Sequence, residues 1–261
     1  MASTPVPLRS FTAEKLPVRI YPTPATLAVA AAADAARIIR EAVAARGRAR
    51  VILATGNSQL AFLDALVREP AVAWKQVEVF HMDEYLGMPR THPASFRRYL
   101  QERVADRVPL AAFHGIEGDA LEPLRTMQDY AARLTAAPVD LCCLGIGENG
   151  HLAFNDPPVA DFADPAVIKL ARLDEACRRQ QVGEGHFPHL DAVPAYAITL
   201  TIPALCAAAR MIAVVPEARK AAAVQAALEG PVTTACPGSF LRRQAHATLY
   251  LEAASAARLS P

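Results

Sequence analysis

Three short runs of this chain collect side chains that move protons or hold anions. The most informative is Gly145-Ile146-Gly147-Glu148-Asn149-Gly150-His151, continued by Leu152-Ala153-Phe154-Asn155-Asp156-Pro157. Histidine titrates near neutrality, the glycines let a ligand approach the backbone at Gly147, and a carboxylate five residues on can hold one imidazole tautomer. The pattern predicts a general acid/base at His151 tuned by Asp156 and Asn149. A lone histidine is usually structural, but one framed by glycines after an apolar run favours function. The second run, His81-Met82-Asp83-Glu84-Tyr85, sets two carboxylates side by side, and their repulsion raises one pKa toward the range useful for proton transfer. Alone it would read as a solvated acidic turn. The third, Thr55-Gly56-Asn57-Ser58, offers backbone N–H groups and two hydroxyls at the start of a helix, where an anion is favoured, with Ser58 as an ordinary helix cap the competing reading. It lacks the lysine of a nucleotide P-loop and the triple glycine of a dinucleotide site, so a monophosphate suits it better than ATP or NAD.

All three runs follow short apolar segments of strand length. Val51-Ile52-Leu53-Ala54 precedes the first turn, Val77-Glu78-Val79-Phe80 the acidic pair, and Val139 to Ile146 the histidine. Further strands are expected at Ala197 to Thr201, Met211 to Val215 and Ala247 to Leu251. Helical spacing is expected after Thr23-Pro24 until Gly47, after Ser58, from Ser95 to Val104, and from Glu217 to Leu228. This alternation predicts a three-layer α/β fold, a modified Rossmann-like arrangement whose mostly parallel sheet carries helices on both faces. In such sheets ligands bind outside the carboxyl ends of the strands, where the three runs fall. Residues 1–261 read as one domain, with a segment inside 156–194, rich in proline, glycine and charge, as a lid.

Composition narrows the function. Lysine plus arginine (27) balances aspartate plus glutamate (26), so no global field draws the chain to nucleic acid or an anionic membrane. No run is long enough to span a bilayer, and no secretory pattern opens the chain. Five cysteines without C-x-x-C spacing read as reduced thiols of a cytoplasmic protein, and no histidine cluster has zinc spacing. The expected partner is a small molecule, with neither metal nor cofactor.

In this order the motifs resemble the glucosamine-6-phosphate deaminase family, which is grouped with the 6-phosphogluconolactonases. They are T-G-N-S at Thr55, M-D-E-Y-L-G-M-P at Met82, H-P-A-S-F at His92, G-I-G-E-N-G-H-L-A-F-N-D-P at Gly145, and R-K-A-A-A-V-Q-A-A-L-E-G at Arg219. The lactonase branch reads D-E-R where Asp83-Glu84-Tyr85 stands. The resemblance implies that His151 opens the pyranose ring and that Asp83 carries the proton between C2 and C1, after which water displaces ammonia to leave fructose 6-phosphate. It implies a phosphate site at Thr55, Gly56, Asn57, Ser58 and Lys220, joined by a lid arginine for which Arg178 and Arg179 are candidates. Solvated surface positions are the competing reading for these three basic residues. Members range from monomers to hexamers, which leaves a homo-oligomer open. This chain departs from the common pattern at Asn149 and Asp156, where aspartate and glutamate are usual, at Asn57 and Gln59, and at Val159, Ala160 and Val167, which lack the polar groups of the allosteric activator site. Asparagine can orient an imidazole but cannot stabilise its cation by charge. The rival readings are lactone hydrolysis, another aldose isomerisation, and a non-catalytic sugar-phosphate sensor. A sensor would carry a helix-turn-helix, whereas the residues before Val51 read as one helix and a strand.

Overall fold

A computed structural model describes residues 5–261. A hairpin opens the described chain, β1 (Arg9–Ala13) against β2 (Leu16–Tyr21), where the sequence predicts a helix first. Helix α1 (Pro24–Arg46) follows between the predicted punctuation marks. Thr23 Oγ1 accepts the Thr26 N–H, Thr26 Oγ1 accepts the Thr23 N–H in return, and Gly47 ends the helix at φ 72°. Then come β3 (Ala49–Leu53), α2 (Leu60–Leu66), β4 (Val77–His81), β5 (Asp83–Tyr85), and α3 (Phe96–Leu100), which widens into a π turn over Gln101–Ala105. The chain continues through β6 (Ala112–His114), α4 (Pro123–Thr135), β7 (Leu141–Leu144), β8 (Ile168–Arg172), α5 (Glu175–Gly183) and β9 (Tyr196–Leu200). It ends with α6 (Ile202–Cys206), β10 (Arg210–Val215), α7 (Ala221–Glu229) and β11 (Ala247–Glu252).

Eight strands form one sheet in the order β1-β2-β11-β10-β7-β3-β4-β6, parallel throughout except for the β1–β2 pair. Successive residues of a strand face opposite sides, so each central strand feeds two cores. Ile52, Phe80, Cys142, Leu144 and Ala213 pack on one face with residues of α4 and α7. Val51, Leu53, Val79, Leu141, Cys143, Ile212 and Val214 pack on the other with α1 and α2. Burial on both faces is why these strands read as unbroken apolar runs rather than alternating ones, and the three-layer expectation holds.

One expected strand belongs elsewhere. Ala197 to Leu200 of the expected Ala197 to Thr201 run fall in β9, which pairs antiparallel with β5 and β8 in a separate three-stranded sheet, and Thr201 caps α6. An apolar run reports burial but not its partner. This small sheet positions the acidic run, because Asp83 and Glu84 pair with Thr199 and Ile198. The segment 156–194 therefore contains ordered elements, β8 and α5. No helix of the described residues is long and apolar enough to cross a membrane, and all five cysteines are free, four of them buried and Cys206 partly so.

Candidate active site

Four adjacent central strands, β10, β7, β3 and β4, end at the same edge of the sheet. The segments that leave them line one cavity: Thr55, Gly56 and Ser58 after β3, Met82 and Asp83 after β4, Gly145, Gly147 and His151 after β7, and Lys220 after β10.

At the first turn Gly56 adopts φ 95°, a conformation that a side chain would strain. Residues Asn57–Gln59 make a single 3-10 turn before α2, and Ser58 caps nothing. Gln59 holds the turn, its Nε2 donating to Ser58 Oγ (3.2 Å) and to the Val214 carbonyl of β10 (3.1 Å). Asn57 lies outside the cavity lining and donates to the Glu184 carbonyl at 3.2 Å. The Asn57 side chain thus ties the turn to the residue that follows α5.

On β5 the two carboxylates point to opposite sides, and their surroundings separate their roles. Glu84 accepts four bonds, from the Ser95 hydroxyl (2.7 Å) and the N–H groups of Tyr85, Phe96 and Arg97, so it caps α3. Removing a buried acceptor with several donors costs the desolvation of each orphaned group. Glu84→Gln is therefore expected to lose about 2–4 kcal/mol of stability, read as a lowered midpoint in urea. Asp83 has no such donors. Burial, then the charges of Glu84 and Asp156, push its carboxyl from 3.8 up to about 8. A group 5% exposed on the cavity wall with that pKa gains and loses its proton close to neutrality and acts as a base in its ionised form.

The His151 ring lies across Gly147. A methyl group at Gly147 would stand 2.2 Å from Nε2, so glycine is required here by the imidazole itself. On the other side of the ring Nδ1 is 2.9 Å from Asp156 Oδ1, a close contact that is not a well-aligned hydrogen bond. Asp156 is fully buried and also accepts from Asn149 Nδ2 (3.0 Å) and the Asp174 N–H (3.1 Å). Burial alone would raise its carboxyl, but His151, Asn149 and the Asp174 N–H hold it below the usual carboxylate range. Asn149 Oδ1 in turn accepts the His151 N–H (3.1 Å), so the asparagine braces both partners. Asn149 and Asp156 stand behind the histidine rather than on the cavity wall. Cys177 Sγ, His151 Nδ1 and an Asp156 oxygen lie within 4.8 Å of one another, the donor set nearest to a metal site among the described residues. It would have to part the histidine from its carboxylate to hold an ion.

Lys220 is the last residue of a 3-10 turn that begins after Glu217, a non-glycine residue at φ 82° whose N–H donates to Glu252 Oε1 (2.9 Å). Backbone strain of this kind persists only where the surroundings enforce it. Lys220 is 3% exposed and lines the cavity, which rules out the solvated reading. Burial pulls its ammonium below the usual lysine range, opposed by Glu184, Glu148 and Glu217 through charge alone.

Helix α5 and the residue after it complete the wall with Gln180, Gln181 and Glu184. Gln180 Oε1 accepts the Glu148 N–H (3.0 Å) and Gln181 Oε1 accepts the Tyr85 hydroxyl (2.8 Å). The sequence reading missed these three and chose the neighbouring cations. Arg178 turns its guanidinium to the carbonyls of Leu190 and Val193, and Arg179 pairs with Glu175 at the surface, so neither lines the cavity. Each residue of a helix points 100° from the last, and charge alone does not say which face is inward. The cation that follows the β10 strand beside Lys220 was also missed: Arg219 binds Glu184 (2.8 Å), Glu148 (3.0 Å) and Glu217.

The family model for glucosamine-6-phosphate isomerases/6-phosphogluconolactonase matches residues 22–250. The glucosamine-6-phosphate deaminase of Exiguobacterium sibiricum is 34% identical over 208 residues, covering 80% of each chain. That of Cellvibrio japonicus is 33% identical over 216 residues, again 80% of each. Among solved structures, a monomeric glucosamine-6-phosphate deaminase of the NagB superfamily aligns with a TM-score of 0.83 at 25% identity, over 92% of this chain and 98% of that one. A 6-phosphogluconolactonase from Shewanella baltica shares the fold, with a TM-score of 0.73 at 20% identity over 93% and 99%. The chain with this cavity at the ends of four parallel strands belongs to the family of glucosamine-6-phosphate isomerases and 6-phosphogluconolactonases.

Proposed function

We propose that the protein deaminates and isomerises an amino-sugar phosphate, glucosamine 6-phosphate and water giving fructose 6-phosphate and ammonia. One observation carries this reading: a buried carboxyl without hydrogen-bond donors, Asp83, shares a cavity with a carboxylate-backed imidazole, His151, and a buried amine, Lys220. An aldose–ketose shift needs one base over C1 and C2 and a second group at the ring oxygen. Asp83 takes the C2 proton and returns it at C1, and His151 passes a proton to the ring oxygen as the pyranose opens. The resulting C2 imine adds water and expels ammonia. The relatives named as deaminases, at 32–34% identity, support the same choice over lactone hydrolysis.

The phosphate sits on the Thr55–Ser58 turn with Lys220, whose ammonium otherwise has only charge neighbours. A charge-assisted bond to a buried group is worth about 2–3 kcal/mol. Lys220→Met should therefore raise KM roughly 30- to 100-fold, with a smaller effect on kcat, measured by steady-state ammonia release. The chain works as one domain with α5 as its lid, in a reducing cytoplasmic setting that suits five free thiols. The reading is tested by substrate discrimination. Glucosamine 6-phosphate should be turned over with a kcat/KM far above that for 6-phosphogluconolactone, and the reverse order would move the chain to the lactonase activity.

A further inference from the structure

The cavity end assigned to the phosphate holds a carboxylate as well as an amine. Glu184 follows the last residue of α5, and its side chain is 4% exposed. Its Oε1 accepts from Arg219 (2.8 Å) and Gln180 Nε2 (2.8 Å), and Oε2 lies 3.3 Å from His186 Nε2. With Asn57 bound to its carbonyl, Glu184 is tied to the turn after β3, to α5 and to the turn before α7. A methyl group on Gly56 would lie 4.0 Å from Oε2, so the carboxylate faces the turn that offers its N–H groups to an anion. Burial alone would raise the Glu184 carboxyl, but the close approach of His186, the hydrogen bond from Gln180 and the charges of Arg219 and Lys220 hold it at about 2. It is ionised throughout the working range.

A phosphate dianion on this turn would meet a fixed negative charge in a partly desolvated site. Arg219 offers it little, being shared among Glu184, Glu148 and Glu217. Like charges confined to one partly desolvated cavity repel by several-fold to many-fold in affinity, unless a proton lies between them. We propose, building on the deaminase reading of the cavity, that Glu184 is a specificity-determining residue that selects the singly protonated phosphate monoester. The P–OH group donates to Glu184 Oε2, while the other phosphate oxygens accept from Lys220 and the Thr55–Ser58 turn.

The proton balance follows directly. Above the second pKa of a phosphate monoester, about 6, the free ligand is a dianion, so binding takes one proton from solvent and dissociation returns it. The charged groups facing Glu184 are Arg219, Lys220 and His186, with Glu148 and Glu217 across Arg219. Tyr85 and Tyr99 also lie near it, and burial keeps both hydroxyls neutral. Of these, His186 lies directly against the Glu184 carboxylate, and its part is separated from that of the phosphate by substitution.

The test uses glucitol 6-phosphate, which has no carbonyl carbon to isomerise, titrated calorimetrically into the whole protein near pH 8 in two buffers of different ionisation enthalpy. With the cavity's other titrating carboxyl removed by Asp83→Asn, the otherwise wild-type protein is expected to take up about one proton per ligand bound, and adding His186→Gln leaves that unchanged. Adding Glu184→Gln, isosteric and able to keep its bond from Arg219, is expected to abolish the uptake and to tighten binding about tenfold or more. Binding without proton uptake in Asp83→Asn, loss of uptake on adding His186→Gln, or unchanged uptake on adding Glu184→Gln overturns the proposal. The titration needs no turnover. Absent ammonia release from wild type with proton uptake intact in Asp83→Asn would remove the deaminase reading and leave the protonated-phosphate selection standing, whereas absent binding both with and without Glu184→Gln removes both.

Discussion

Asp83→Asn is expected to lower kcat by about a thousandfold or more while making the folded protein more stable near pH 8. The first effect follows from its place as carbon base, since asparagine cannot accept the C2 proton. The second follows from burial. The Asp83 carboxyl rises from 3.8 to about 8 on folding, so between those values the folded protein keeps a proton that the unfolded chain gives up. Stability at this residue therefore falls as pH rises through that window, and is intact below it. Asparagine abolishes that dependence. At one pKa unit per 1.36 kcal/mol the full shift is about 6 kcal/mol, and relaxation on ionisation leaves roughly 2–5 kcal/mol. Urea unfolding of both forms at about pH 5 and pH 8 measures it, with the gap in favour of Asp83→Asn widening at the higher pH. The wild-type kcat/KM should also rise with pH toward about 8, because it reports the free enzyme, whereas the kcat profile should rise at lower pH once a substrate ammonium faces the carboxylate.

Gly147→Ala is the second large effect, and it separates positioning from folding. The added methyl would stand 2.2–2.4 Å from three atoms of the His151 ring. The imidazole must swing away and leave its 2.9 Å contact with Asp156. A displacement of about 1 Å at a reacting group costs about a hundredfold in rate. Because the loss falls on ring opening, kcat on the cyclic substrate should drop by about that factor, while an open-chain analogue is affected far less. The melting temperature should move little. Equal losses on both substrates would detach His151 from the ring oxygen.

The sequence made the central strands and their ends legible because both are local signals. Burial on both faces writes an unbroken apolar run, and the groups that follow β3, β4, β7 and β10 sit next to them in the chain. Thr55, Asp83 and His151 are legible in this way and Lys220 through the family resemblance, and all four line the cavity. Position along the chain could not show what stands across from them. The pairing of β9 with β5 and β8 rather than with the main sheet is a long-range choice, invisible to a pattern that records only burial. Adjacent Asp83 and Glu84 read as one acidic pair, yet strand alternation sends Glu84 to cap α3 and leaves Asp83 without donors. In α5 the family resemblance implied a lid arginine, with Arg178 and Arg179 the candidates, while helical rotation turns Gln180 and Gln181 inward. Gly147 was legible as a necessary glycine, but its reason, the overlying imidazole, needed the fold.

The most direct test follows glucosamine 6-phosphate with purified wild-type protein by measuring ammonia and fructose 6-phosphate in the same sample. The two products are expected in equal amounts, with no release above background from an equal amount of folded Asp83→Asn. No ammonia from wild type, or undiminished release from Asp83→Asn, would contradict the proposed function.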